Sequence, residues 1–338
     1  MQAEIYTNAE GFEALAEEWN ELLHDSVVDT IFLTHQWQST WWRHLGTGAP
    51  TLIALREQSG RLLGLAPLFR SLTNEGLWEL NTVGCVDVSD YLDIIPRRGH
   101  EEAVYRGLLE ALEQPDLFEF SWDLLNLCNV RADSPTLAYL EPMAAERDYQ
   151  VSSRVQEVCP IVPLEGDWEA YLASLVGKER RELRRKMRRA NPHVGVEWHI
   201  VGPEHDLSSE VDAFLKLMAL SHPDKAEFLH QEHRNFMHAV AQVTWEAGWL
   251  ELAFLTVNGE PAASMFNFVY GNRTLLYNSG LDAARFLRFS PGIVLTGFLI
   301  QHSIEAGREA FDFLRGDEPY KYQLGGVDSE IHQLLIRR

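Results

Sequence analysis

Between Trp249 and Gly325 the hydrophobic period changes from two to near 3.6 and back again, and this switch constrains the fold more than any other feature. Three runs rich in β-branched and aromatic residues, Trp249–Val257, Ala262–Tyr270 and Arg273–Ser279, are separated by Asn258-Gly259 and Gly271-Asn272. Such pairs between alternating runs are hairpin signals. Ser290-Pro291-Gly292 then opens an apolar helix, Ile293–Ala306, that stops at Gly307. Proline just inside the start and glycine just past the end mark its two termini. A further strand, Ala310–Leu314, leads into the polar, aromatic segment Arg315–Gly325. Two hairpins, a helix and a strand in that order predict an α/β (α+β) domain, a mixed and mostly antiparallel sheet flanked by helices.

Upstream, the same elements recur in a similar order. Helical spacing runs through Phe12, Leu15, Trp19, Leu22 and Leu23. Thr34 is placed to cap a second helix, whose Trp37, Trp41 and Trp42 fall on neighbouring turns as core residues. Strands are predicted at Thr51–Leu55, Leu62–Phe69, Leu77–Leu80, Trp122–Leu127 and Ser152–Pro163, with helices at Glu101–Gln114 and Ser134–Arg147. Pro160–Gly166 reads as a linker, which divides the chain into domains 1–158 and 159–338. The first half has no counterpart of the Ser290-Pro-Gly helix start and is expected to be a degenerate copy. In the second half, Asp167 is placed to cap a helix that continues through a basic stretch to Ala190, where Asn191-Pro192 breaks it.

The net charge of −21 disfavours adhesion to nucleic acid or anionic lipid by the surface as a whole. One stretch departs from that average. Lys178–Arg189 holds eight basic and two acidic residues. As a helix it reads as a solvated face, with binding of a small molecule's phosphates or another anion, and RNA, as the functional alternatives. Cys85, Cys128 and Cys159 are odd in number and widely spaced, and are expected to be buried free thiols. Asp87, Asp90 and Asp93 recur every three residues without a histidine, which reads as a loop rather than a metal site. His230, His233 and His238 lack an evident fourth ligand and read as surface histidines; no metal is expected. There is no apolar window long enough for a membrane span and no secretory pattern at Met1–Thr7, so the expectation is a cytoplasmic protein without a membrane partner.

Tyr277-Asn-Ser-Gly-Leu-Asp282, the Ser290-Pro-Gly start and Phe311-Asp-Phe-Leu-Arg-Gly-Asp-Glu-Pro-Tyr-Lys-Tyr322 resemble the C-terminal half of GNAT-type acetyltransferases of the CelD-like, or cellulose-biosynthesis, group. That group is related in fold to the Fem-type aminoacyl transferases. The resemblance implies two tandem GNAT-like acyl-CoA N-acyltransferase domains, the second holding the donor and the cleft between them the acceptor. It implies acetyl-CoA as acyl donor and a small-molecule or sugar primary amine as acceptor. The alternatives are a Fem-type transferase using aminoacyl-tRNA, the one way nucleic acid would enter, and a non-catalytic binding protein of this fold. Acyl-CoA binding would fall to Arg288, Ser290, Gly292 and Ile293 at the helix start, with Asn278 and Lys321 nearby; free N–H groups there suit phosphate. The usual wording at this start has more glycine than Arg288-Phe-Ser-Pro-Gly292. Tyr320 is placed to protonate the leaving thiolate, with Tyr322 in the same segment. Asp317 and Asp282 are the candidate bases beside Glu318. Lys225 and Phe228 are implied to border the acceptor pocket.

Overall fold

A computed structural model describes residues 1–85, 88–114 and 121–338, and the chain forms two compact units, Met1–Glu157 with Ser329–Arg338, and Val158–Asp328. The last ten residues thus fall with the first unit, whereas the sequence grouped all of 159–338 together.

The first unit contains strands β1 (Gln2–Tyr6), β2 (Ala49–Arg56), β3 (Leu62–Leu72), β4 (Trp78–Thr82), β5 (Ile95–Pro96) and β6 (Leu124–Arg131), and helices α1 (Glu10–His24), α2 (His35–Leu45), α3 (Glu101–Glu113) and α4 (Glu141–Ala145). Strand β7 (Gln150–Pro163) begins in this unit, and the final strand β13 (Val327–Arg337) pairs with β6. β1 to β4 form an antiparallel meander, and β4 then runs parallel to β6, with α3 between them in the chain. As the spacing predicts, α1 buries Phe12, Leu15, Trp19, Leu22 and Leu23, and Trp37 and Trp41 of α2 lie in the core, whereas Trp42 is only half-buried. Thr34 caps α2 by accepting the Trp37 N–H at 3.3 Å.

The second unit holds the remainder of β7, then α5 (Trp168–Ser174), α6 (Gly177–Arg189), β8 (Val196–Ile200), α7 (Leu207–Ser221), α8 (Pro223–Phe228), α9 (Gln231–Glu246), β9 (Leu250–Val257), β10 (Glu260–Tyr270), β11 (Arg273–Leu281), α10 (Ala283–Phe286), α11 (Pro291–Glu305), β12 (Ala310–Asp312) and α12 (Pro319–Gln323). β8 to β11 are successive antiparallel neighbours, β11 is parallel to β12, and β12 pairs with Ile161–Pro163 of β7. Both hairpin turns have two consecutive residues with positive φ, Asn258 at 51° and Gly259 at 78°, and Gly271 at 55° and Asn272 at 59°. This is the conformation that asparagine and glycine tolerate best. α11 buries Val294, Leu295, Leu299 and Ile300 in the core of this unit. Among the described residues no single helix is long and apolar enough to cross a membrane; only α10–α11 with their connection pass on length and composition, as a pair bent by 58°.

Several expectations are corrected. Cys85 and Cys128 are joined in a disulfide, whereas Cys159 is buried and outside any disulfide. The two cysteines are 43 positions apart in sequence, but the parallel pairing of β4 with β6 brings the residues just after β4 beside the middle of β6. The helix expected at Ser134–Arg147 does form, but its first part, Thr136–Leu140, is a wider π-helical turn that runs directly into α4; Pro142 has no N–H to offer the Ala138 carbonyl. Leu175 and Val176 are extended, so α5 and α6 are separate helices. β13 was not foreseen. Its buried residues Ile331, Leu334 and Ile336 are spaced by three and then two, because a bulge lies between His332 and Leu334.

Candidate active site

The site grows out of one break in strand pairing. β11 and β12 pair over only three positions, Arg273 with Ala310, Thr274 with Phe311 and Leu275 with Asp312. β12 then ends, while β11 continues to Leu281 with a bulge opposite Phe266 and Asn267. An opening follows along the Leu276–Leu281 edge of β11.

On one side of that opening the backbone after β12 curls tightly. Leu314 has φ of 54°, a conformation that costs a bulky residue about 1–3 kcal/mol and persists only where the surroundings enforce it. The enforcing group is Lys321. Its Nζ donates to the carbonyls of Leu314, Arg315 and Gly316 at 3.2, 2.7 and 3.0 Å and pairs with Glu318 at 2.9 Å. With 3% of its side chain exposed, this ammonium is turned into the protein. Lys321, placed beside the donor by the sequence, is here engaged with the three loop carbonyls and Glu318.

A second lysine lies on the β11 edge. Lys225 of α8 donates to Asn278 Oδ1 at 2.9 Å and to the Ser279 carbonyl at 2.7 Å. Burial, helped by the Lys321 charge and opposed by Glu318, lowers its pKa to about 8. Asn278 thus faces Lys225, and its Oδ1 also accepts the Ser279 N–H. α7 presses on the next residue, where a Cβ built on Gly280 would overlap the backbone of Leu217 and Met218, so only glycine fits.

At its far end, the β11 edge meets the start of α11. Ser290 has φ of 51° and its side chain caps nothing; Pro291 has no N–H to offer. The first intrahelical bond is Val294 N–H to the Ser290 carbonyl, which leaves the Gly292 and Ile293 N–H groups ahead of it. A Cβ on Gly292 would meet only Leu281, at 3.5 Å, so the approach to these groups is open. Two arginines stand beside them. Arg288 lies 4.6 Å from the Phe289 ring, and Arg189, the last residue of α6, donates to the Arg288 carbonyl at 3.1 Å. Arg189 ends the Lys178–Arg189 stretch, for which phosphate binding is one of the sequence readings, and the packing of α6 brings it here.

The carboxylates and tyrosines separate by environment. Asp282 is buried, caps α10 by accepting the Arg285 N–H at 3.1 Å, and is flanked by the Arg285 guanidinium at 3.9 Å. That is a helix-capping role. Glu318 is held by Lys321, whereas Asp317 is exposed. Tyr322 is also exposed and donates to Asp328 at 2.8 Å, which pushes its phenol up to about 12. Tyr320 instead packs edge-on to Phe313 at 5.8 Å, and burial, with Glu318 nearby, raises its pKa well above the usual range.

The other sequence candidates fall elsewhere. His230 and His233 meet edge-on with ring centroids 4.4 Å apart, and His238 pairs with Asp212. Among the described residues no group of three or more histidine, cysteine or acidic side chains could hold a metal. Asp87 lies outside the described residues. Asp93 is fully enclosed in the first unit, bonded to Thr136 and to the Ile94 N–H, and burial raises its pKa to about 7.

Residues 177–322 match the family model of the acetyltransferase (GNAT) domain. Over nearly its whole length the chain is similar in structure to FemX, at 12% identity and a TM-score of 0.66, covering 99% of this chain and 97% of that one. A tandem GNAT protein from the clavulanic acid biosynthesis pathway is 13% identical, with a TM-score of 0.52 and 98% of each chain covered. The C-terminal domain of a putative lysylphosphatidylglycerol synthetase from Agrobacterium fabrum is 11% identical, with a TM-score of 0.56, covering 97% of this chain and 92% of that one. At these identities what is shared is the fold, a tandem GNAT-like arrangement. No curated protein matches the chain.

Proposed function

We propose, from the GNAT-type domain at 177–322, that the second unit transfers an acyl group from an acyl-CoA thioester, acetyl-CoA first among them, to the primary amine of a small molecule. The observation that carries this is the opening left when β11 runs past the end of β12, with an unobstructed helix start and two arginines at its far end. In this reading the donor's amide-bearing arm lies along the free β11 edge, and its pyrophosphate meets the Gly292 and Ile293 N–H groups with Arg288 and Arg189. A backbone N–H in the Leu276–Ser279 stretch polarises the thioester carbonyl. The amine attacks that carbonyl directly; the C–N bond forms as the C–S bond breaks.

Tyr320 is the proton donor to the leaving thiolate in this account. Burial keeps the phenol protonated through the neutral range while weakening it as an acid, so its role rests on position rather than on acidity. Asp282 and Glu318 are engaged elsewhere, so the attacking amine loses its proton through water to exposed Asp317. Lys225 puts a positive charge at the opening and favours an acceptor with a carboxylate or phosphate beside its amine. The CelD-like wording Phe311–Tyr322 corresponds to the loop that Lys321 folds.

A thermal-shift titration with acetyl-CoA and with free CoA, at two salt concentrations, tests the reading. At 100 times its dissociation constant a ligand adds about 2.7 kcal/mol, enough to raise the midpoint by several degrees. The expected result is a shift with both ligands. Absence of any shift, together with binding of aminoacyl-tRNA that collapses as salt rises, would replace the thioester donor with a Fem-type one.

A further inference from the structure

The basic helix is not accounted for by acyl transfer beyond Arg189, and its faces are sorted in an unusual way. Arg181, Arg184, Arg185 and Arg188 occupy positions i, i+3, i+4 and i+7 of α6 and so form one stripe. In an ordinary amphipathic helix that stripe is apolar and buried. Here the apolar contact lies to one side, where Leu183 and Met187 pack against Gly297 of α11 with little room for a Cβ. The arginine stripe is left overhanging a groove of about 820 Å³ between α5, α6 and α11.

The floor of the groove is apolar, formed by Trp168 and Leu172 of α5, Met187 of α6 and Phe298 of α11. Leu172 is buried and the other three are half-buried. Of the four arginines, Arg184 is paired with Glu169 and Arg185 with Glu182. Among the described residues Arg181 and Arg188 have no carboxylate partner. They stand two turns apart, about 10 Å along the helix axis. Among the described residues the Arg188 guanidinium donates only to the Arg184 carbonyl, at 3.3 Å. Elsewhere the chain is strongly acidic, so guanidinium groups without a carboxylate partner are not a general property of its surface. Arginine rather than lysine at all four positions offers the planar, forked donors that match phosphate oxygens.

From this arrangement we infer that the groove binds a phosphate ester with an apolar body, the phosphate on Arg181 and Arg188 and the body against Trp168, Met187 and Phe298. The volume falls in the range of small-ligand sites. Apolar side chains recessed beneath arginines cannot insert into a bilayer, which needs them outermost. A net charge of −21 works against a long polyanion such as duplex RNA. Phe298 lies six residues along α11 from Gly292, roughly 9 Å at helical rise, so this site is separate from the proposed donor phosphates.

The test is isothermal titration of the full chain with dodecyl phosphate below its micellar concentration, with 1-naphthyl phosphate, and with inorganic phosphate. Either organic phosphate should bind at least tenfold tighter than inorganic phosphate, and the better of the two identifies the body as aliphatic or aromatic. The double variant Arg181→Gln/Arg188→Gln should weaken that binding at least tenfold while leaving the free protein's thermal midpoint and its CoA titration unchanged. Both arginines are exposed and lack acidic partners, so the fold does not depend on them. Three results would each overturn the inference: organic phosphates binding no better than inorganic phosphate, equal binding by the double variant, or affinity confined to phosphatidylglycerol vesicles or duplex RNA.

Discussion

The two units share one topology but treat the same position in opposite ways. In each, an antiparallel meander ends in a strand that runs parallel to a partner reached through a helix, β4 with β6 by way of α3, and β11 with β12 by way of α11. In each, the parallel pairing covers just three positions. Beyond them, the first unit joins Cys85 to Cys128. The second leaves the β11 edge to the ammonium of Lys225 and opens onto the unobstructed start of α11. On the proposed function, what separates the two copies is a small number of side chains at the point where two parallel strands part.

The largest expected effect lies in the open copy. Tyr320→Phe removes the proton donor while keeping the ring that packs on Phe313, so kcat should fall by about 10²–10⁴-fold with little change in CoA affinity. An unchanged kcat would leave the second unit without its proposed acid and weaken the contrast between the copies.

Next comes the closed copy. Replacing both Cys85 and Cys128 with serine releases a cross-link between residues 43 positions apart, which chain entropy values at about 4 kcal/mol. Denaturant unfolding should register that loss in the first unit, while CoA binding should stay as in the wild type. Loss of CoA binding in this variant would mean that the closed copy is part of the donor site.

A smaller effect follows from Lys225. Its folded pKa of about 8 lies below the ordinary value of 10.5, so between these pH values the unfolded chain binds the proton more tightly. Stability contributed by this group therefore rises with pH across that window, by up to about 3 kcal/mol. Lys225→Met should abolish the rise; melting curves of both proteins between pH 8 and 10 would show it. Parallel curves would mean that the ammonium is not buried on the β11 edge.

How much of this was legible follows from which interactions are local. The meander, its primed turns and α11 were readable, because Asn-Gly pairs, alternation and the Pro/Gly helix ends act over a few residues. The Phe311–Tyr322 segment stood out in the sequence, and in the structure Lys225 of α8 lies close to its Glu318 and Lys321. The assignments inside it were harder to make. Lys321 has the same composition signal whether it meets a phosphate or three carbonyls, and only the positive φ of Leu314 decides between them. Asp282 reads equally as base or cap until Arg285 folds back onto it. The disulfide depends on strand pairing across 43 residues, and β13 was hidden by its bulge. The arginine stripe was visible as charge, but its sorting to one side of α6 follows from where Leu183 and Met187 pack.

The central claim is that only the second unit receives the donor. Hydrogen–deuterium exchange of the full chain, with and without saturating CoA, tests it residue by residue. The account predicts slowed exchange at Leu276–Leu281 and at Gly292–Leu295, with Trp78–Thr82 and Leu124–Cys128 unchanged. Protection confined to the first unit's strands, or none at the α11 start, would contradict it.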